Sequence, residues 1–208
     1  MPMQHAAAIL LAGGRSKRMG TDKALLPLPS LGQVSFLQHL TQVMLDECKE
    51  LVVVARDRLQ ADAYAQHVLL SARIIIDDVP DYGPLMGLYS GLRAVEASHA
   101  FVCAVDTPLL QPSLLAFLAA QSYHDHLIVP VVANLPQVLL ALYPRTLLPL
   151  IEEQLQAGRR DPRSLLELAP TRYISEEQLR VVDPDLRSFL NVNTPEELQM
   201  LHTMMINP

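Results

Sequence analysis

The residues best suited to chemistry begin at Leu11, in the segment Leu11-Ala-Gly-Gly-Arg-Ser-Lys-Arg-Met-Gly20-Thr-Asp-Lys23. It follows an apolar run of strand length, residues 7–12. Two adjacent glycines, Gly13 and Gly14, let a backbone approach a ligand closely, and successive N–H groups can cradle an anion. Four bases (Arg15, Lys17, Arg18, Lys23) face one acid (Asp22) in a chain whose net charge is −6. That local excess suits a polyphosphate. The segment is not a Walker A loop, because Thr21-Asp22 follows Gly20 where Lys-Ser/Thr is required. It is not the spaced G-x-G-x-x-G of a dinucleotide site either.

Carboxylates at two other strand ends complete the chemistry. Asp106 closes the apolar run 101–105 and precedes Thr107-Pro108. A carboxylate there suits Mg²⁺, a hard ion held through one or two carboxylates plus phosphate oxygens and water. Asp77 and Asp78 close the run Ile74-Ile-Ile76. Guanine offers N1–H and N2–H₂ side by side, a carboxylate accepts both, and adenine lacks the pair, so one of these aspartates could select a base. Asp77 and Asp78 both remain open. Gly83, Gly87 and Gly91 recur every fourth residue. Gly83 would open a helix entrance to a ligand, and Gly87 and Gly91 would let that helix pack closely.

These groups need elements that place them at one edge. Runs at 7–12, 51–55, 74–76, 101–105, 127–132 and 138–142 read as strands. Helical spacing marks 36–45, a polar stretch to about 66, 84–97, 111–122 and 144–157, the last stopped by Gly158. Continuous apolar runs separated by helices predict an α/β fold: a Rossmann-like open, mostly parallel sheet with helices on both faces. Open sheets of this kind bind ligands beyond the carboxyl ends of their strands. Residues 161–169 read as a short helix, and 170–186 show no clear pattern. Thr194-Pro-Glu-Glu197 has capping-box spacing ahead of Leu198, Leu201, His202 and Met205. Asn191 and Asn193 are expected just before that helix, near a strand end.

Length and composition narrow the function. The 208 residues suggest one domain; half are hydrophobic, enough for a sizeable core. The acidic balance, 16 Lys and Arg against 22 Asp and Glu, excludes a general nucleic-acid binder. No apolar stretch approaches the roughly 18 residues that span a bilayer. The start, Met-Pro-Met-Gln-His, does not read as a secretory signal, and Cys48 and Cys103 sit in apolar context as reduced, buried thiols. A cytoplasmic protein is expected. His124-Asp-His126 is expected to be structural, and no His-Glu-x-x-His motif supports a metal hydrolase.

Leu11-Ala-Gly-Gly14, Arg18-Met-Gly20, Asp22-Lys23, Gly83-Pro-Leu-Met-Gly87, Asp106-Thr-Pro108 and Asn191-Val-Asn-Thr-Pro-Glu-Glu-Leu198 together resemble the small nucleotidyltransferase family, most closely the molybdenum cofactor guanylyltransferases. The match covers nearly the whole chain in the family's order. It implies transfer of GMP from GTP to the phosphate of molybdopterin, with loss of pyrophosphate. It implies Mg²⁺ on Asp106, catalytic roles for Arg18, Lys23 and Asp106, and nucleotide binding by Leu11, Ala12, Gly13, Gly14, Lys23, Asp77 and Asp106. Asn191 and Asn193 would bind the acceptor. It further implies a nucleotide-binding half at about 1–110, an acceptor half at about 111–208, and transient contact with proteins that supply the cofactor or mature molybdoenzymes. Three features bear on the match. Ala55 stands where the family usually has Asn, and Asn134-Leu-Pro-Gln-Val-Leu139 departs from its glycine and Gln-Pro-Leu, whereas Arg159-Arg160 resembles its basic turn. The alternatives are a cytidylyl-transferring relative, which tends to carry Ala-Ala-Gly in place of Ala12-Gly-Gly14, and a nucleotide-binding regulatory module without transfer.

Overall fold

The computed structural model describes residues 3–16, 18–28, 32–121 and 125–206, and side chains only for 6–204 of these. Lys17, Ser122, His124 and the first two residues, Met1 and Pro2, lie outside the described residues, as does the Met205 side chain. The elements are β1 (Met3–Leu11), α1 (Phe36–Glu47), β2 (Cys48–Ala55), α2 (Arg58–Tyr64), β3 (Ala72–Ile76), α3 (Pro84–Ala94), β4 (His99–Ala104) and α4 (Pro112–Ala120). They continue with β5 (Leu127–Val132), β6 (Leu135–Pro136), β7 (Leu140–Pro144), α5 (Leu148–Gln156), β8 (Thr171–Ile174), α6 (Glu176–Arg180) and α7 (Pro195–Ile206).

One sheet runs β3-β2-β1-β4-β7-β5-β6, with β8 paired to β5. β3, β2, β1 and β4 are mutually parallel. Their carboxyl ends, Leu11, Ala55, Ile76 and Ala104, therefore share one edge. Period-2 alternation divides β1 between two cores. Ala8 and Leu10 pack with α1, α4 and Tyr64 of α2, whereas Ala7 and Ile9 pack under α3 and α5. Helices thus cover both faces, as the apolar runs predicted.

Two strands, β6 and β7, depart from the expected parallel pairing. β7 runs antiparallel between β4 and β5. Ala133 (φ 49°) and Asn134 (φ 61°) form a two-residue hairpin in which Val132 pairs with Leu135. Two successive left-handed residues match the twist of a tight hairpin. No helix intervenes, so the chain folds directly back. The strand expected at 138–142 begins two residues later, because Gln137 is held in the turn: its N–H donates to the Pro130 carbonyl and its own carbonyl accepts from Leu140 N–H.

The tail also holds more order than its sequence pattern showed. β8 lies within 170–186, followed by α6, which carries a complete capping box from Ser175 and Gln178. The helix expected over 161–169 is a short 3-10 turn, Pro162–Leu165, N-capped by Asp161. Thr194 and Glu197 form the reciprocal hydrogen bonds expected at the start of α7. Asn191 and Asn193 follow the 3-10 turn Arg187–Phe189 and no strand end. That stretch is anchored instead by Val192 N–H, which donates 2.8 Å to the Asp106 carbonyl.

Candidate active site

A cleft of about 280 Å³ opens at the carboxyl edge of the parallel strands. The loop after β1 forms one wall, with Leu11, Ala12, Gly13, Gly14, Arg15 and Ser16. Asp77, Asp81 and Gly83 form the second, and Asp106 with Lys23 closes the inner end. Parallel pairing of β1 with β4 brings Asp106 beside the loop, and Val105 N–H donates 3.0 Å to the Leu11 carbonyl.

The two glycines differ in what surrounds them. A Cβ at Gly13 would lie 3.2 Å from the Arg56 nitrogen, so a side chain there would crowd the Arg56 backbone. A Cβ on Gly14 would meet no atom within 4 Å. Neither packing nor a positive φ calls for glycine at position 14, and its missing side chain leaves open cleft. Ala12 contributes wall and no donor, since its N–H is already committed to the Val54 carbonyl at 3.0 Å. Ala12 is therefore outside any amide cradle the loop could form.

Lys23 heads a 3-10 turn, Lys23–Leu25, capped by the Asp22 carboxylate. Its backbone N–H donates to Ser16 Oγ at 3.1 Å, binding the turn to the glycine loop. Its Nζ lies 3.5 Å from Asp106 Oδ2 and donates to Asn193 Oδ1 at 2.8 Å. The Lys23 and Asp106 side chains are only 13% and 25% exposed, so this charge pair is partly shielded from water.

Asp77 and Asp78 separate clearly. Asp77 lines the cleft, and the Asp78 carboxylate pairs with Arg93 on the surface at 2.6 Å. Burial raises the Asp77 carboxyl above the ordinary range, partly offset by a 2.8 Å hydrogen bond from Ser90 Oγ. Gly87 lies beside it: a Cβ would stand 3.4 Å from Leu11 Cδ2 and 3.8 Å from Asp77 Oδ2. Gly87 thus forms cleft wall, whereas Gly91 serves packing alone, its Cβ falling 2.5 Å from Ile9 Cγ2. Gly83 (φ 127°) lines the cleft and also sits tightly against the Arg160 backbone.

Asn191 lines an adjoining cleft of about 170 Å³ with Thr107, Gln137, Arg163 and Phe189, and this cleft shares Asp106 with the first. Arg18 is exposed and is not among the described lining residues of either cleft. Arg15 was read only as one of the loop's four bases, and Asp81 and Leu139 had no individual signal. Arg15 Nε donates 2.7 Å to Asp81 Oδ1, and a second guanidinium nitrogen pairs with Oδ2, bridging the two walls. Leu139 enters from the antiparallel β7 side. Ser90 had a partial signal, standing next to Gly91 on the helix with the glycine stripe. Cys48 and Cys103 are free and buried, and burial pushes each thiol up to about 12.

The family model for the MobA-like NTP transferase domain matches residues 8–178. The chain belongs to this family. A probable molybdenum cofactor guanylyltransferase of Chloroflexus aggregans is 33% identical over 96% of this chain and 94% of its own length. A molybdenum cofactor guanylyltransferase of Desulfosudis oleivorans is 32% identical over 95% of this chain and 94% of its own. Among solved structures, molybdopterin-guanine dinucleotide biosynthesis protein A from Archaeoglobus fulgidus superimposes with a TM-score of 0.81 at 25% identity, covering 97% of this chain and all of the other. The 2-C-methyl-D-erythritol 4-phosphate cytidylyltransferase of Thermus thermophilus, at 15% identity and a TM-score of 0.69, shares the fold over 96% of this chain and 98% of its own. The family's NTP chemistry therefore falls on a chain whose glycine loop, Lys23, Asp77 and Asp106 converge on one cleft.

Proposed function

We propose that this MobA-like transferase moves GMP from GTP to the phosphate of molybdopterin, releasing pyrophosphate and forming the guanine dinucleotide cofactor. The observation that carries the reading is the 3.5 Å approach of Lys23 to Asp106 inside a cleft that also holds the glycine loop and Asp77. The Gly13 and Gly14 amides would cradle the triphosphate, and Asp77 would accept the paired guanine donors. Cytosine lacks that paired donor edge, so a half-buried carboxylate in this position favours GTP over CTP. Asn191 and the adjoining cleft would take the acceptor, with residues 1–110 serving the nucleotide and 111–208 the acceptor.

The reaction needs no covalent enzyme intermediate. An oxygen of the molybdopterin phosphate forms a bond to the α-phosphorus of GTP, the bond to the β-phosphate bridging oxygen breaks, and pyrophosphate carries that electron pair away. Catalysis is then positioning plus neutralisation of developing charge. Lys23 offsets charge on the triphosphate and the departing pyrophosphate. Arg18, as the resemblance implies, would add a second cation from the same loop. Asp106 is a hard oxygen donor at the junction of both clefts, and the open space at Gly14 leaves room for phosphate in the same cleft. Among the described residues no group of three or more acidic, histidine or cysteine side chains could cage a metal. Mg²⁺, which is held through one or two carboxylates and substrate phosphates, suits Asp106. When bound, it supplies further neutralisation of phosphate charge.

Among the described residues no helix is long and apolar enough to cross a membrane. The two free thiols support a cytoplasmic setting. Passing contact with proteins that supply the pterin or receive the product belongs to the same proposal. The test is pyrophosphate release from each nucleoside triphosphate, with Mg²⁺, with and without molybdopterin. Release from GTP that depends on molybdopterin is expected. Equal or greater release from CTP would move the chain to cytidylyl transfer, and no release from any nucleotide would leave a binding module.

A further inference from the structure

The helix α2 buries only two of its residues, Gln60 and Tyr64, and both direct their polar atoms toward the cleft's supports. Tyr64 is fully buried within an otherwise leucine-rich cluster. Its hydroxyl lies 3.0 Å from the Ala12 carbonyl and 3.0 and 3.1 Å from the two Asp22 carboxylate oxygens. One turn earlier on the same face, Gln60 Nε2 donates to Asp22 Oδ2 at 2.8 Å, and Gln60 Oε1 accepts from Arg56 N–H at 2.8 Å. The Arg56 nitrogen is the atom against which Gly13 packs. Two side chains therefore link the start of the glycine loop, the residue that presses on it, and the carboxylate that caps the Lys23 turn. Neither Tyr64 nor Gln60 lines the main cleft.

We propose that Tyr64 is a positioning residue for nucleotide binding. Its buried hydroxyl fixes the distance between the Gly13–Gly14 amides and the Lys23 ammonium, which must reach the same triphosphate. The inference rests on the reading that these two elements hold GTP. A phenylalanine would fill the apolar pocket equally well, so packing does not account for the oxygen. Without it Ala12 and Asp22 lose a shared donor, and loop and turn can shift independently. Burial beside Asp22 pushes the Tyr64 hydroxyl above the ordinary phenol range, so it remains a donor throughout the working pH range.

Calorimetric titration of GTP with Mg²⁺, without acceptor, tests this on wild type, Tyr64→Phe, Lys23→Ala and the double variant, each with its thermal midpoint. Tyr64→Phe is expected to stay folded and bind GTP about tenfold more weakly, the size of effect seen when a buried acceptor loses its donor. The double variant should lose less than the product of the single losses, because Tyr64 acts through the placing of Lys23. Wild-type affinity in Tyr64→Phe, whatever its thermal midpoint, overturns the proposal by making the hydroxyl structural only. Fully multiplicative losses overturn it too. If Lys23→Ala binds GTP like wild type, the underlying reading fails first, and this inference with it. Should Tyr64→Phe not fold, Asp22→Ala removes the carboxylate that the Tyr64 hydroxyl meets and so cuts the same bridge, and wild-type GTP affinity in that variant overturns the proposal equally.

Discussion

Lys23 and Asn193, 170 positions apart in the chain, meet through a 2.8 Å hydrogen bond from ammonium to amide oxygen. The segment leading into helix α7 thus delivers a neutral partner to the lysine at the inner end of the main cleft. Its neighbour Val192 holds the Asp106 carbonyl, so the same short stretch braces both members of the charge pair.

Asn193→Ala should free the ammonium and raise KM for GTP by about tenfold or more, the loss of one hydrogen bond to a charged group. Asn193→Asp should be worse, because a second carboxylate beside Lys23 competes with phosphate. Steady-state kinetics with GTP and acceptor varied separately check this. A change confined to the acceptor's KM would return Asn193 to the pterin side alone.

Lys23→Ala and Asp106→Ala should each lower the turnover number by about 10²- to 10³-fold, the usual effect of deleting one group that stabilises transition-state charge. Both side chains sit at the cleft and outside the two apolar cores, so far-ultraviolet circular dichroism should be unchanged. Full activity in either variant would refute the role assigned to that residue.

Asp77 carries a cost of function that pH should expose. Its folded pKa is raised, chiefly by burial, so the folded state binds that proton more tightly than the unfolded chain does. Stability therefore falls as pH rises from the ordinary aspartate range through the folded pKa. Asp77→Asn should raise the thermal midpoint at pH 7, with the gain vanishing at acid pH. The same variant should lose its preference for GTP over other nucleotides. In wild type, GTP affinity should weaken on acidification before an ordinary carboxylate would protonate. An Asn variant with lower stability at neutral pH would contradict the expected sign.

Gly87 and Gly91 should respond oppositely to alanine. At Gly91 the new methyl meets Ile9 at 2.5 Å, and overpacking should cost about 1–3 kcal/mol in chemical denaturation. At Gly87 its contacts are ordinary, 3.4 Å or more, and replacing a helical glycine should be neutral or stabilising by up to about 1 kcal/mol. GTP affinity should nevertheless drop in Gly87→Ala, because the methyl faces Leu11 and Asp77 within the cleft. A reversed pattern would place Gly87 in the packing interface and outside the nucleotide site.

Much of the candidate site is legible in the order of residues alone. β1, β2, β3 and β4 announce themselves as apolar runs, and their parallel pairing follows from the helices between them. The parallel arrangement places Leu11, Asp77 and Asp106 at one edge. The choice between Asp77 and Asp78 could not be made from spacing, because adjacent residues on an extended chain point to opposite sides and only the position of Arg93 and Ser90 shows which way each faces. The direction of β7 was hidden for a different reason. Ala133-Asn134 lacks the glycine that usually marks a tight hairpin, although Asn tolerates the left-handed region.

The amino-acid order by itself determined the strand-and-helix alternation, the glycine loop with its bases, and the carboxylates at strand ends, since all of these depend on local period and neighbouring residues. Tertiary structure decided which distant groups meet: Asn193 on Lys23, Arg15 on Asp81, and Tyr64 beneath Ala12 and Asp22. Those contacts depend on strand order and on how helices lie across the sheet, and a pattern of alternating burial leaves both unspecified.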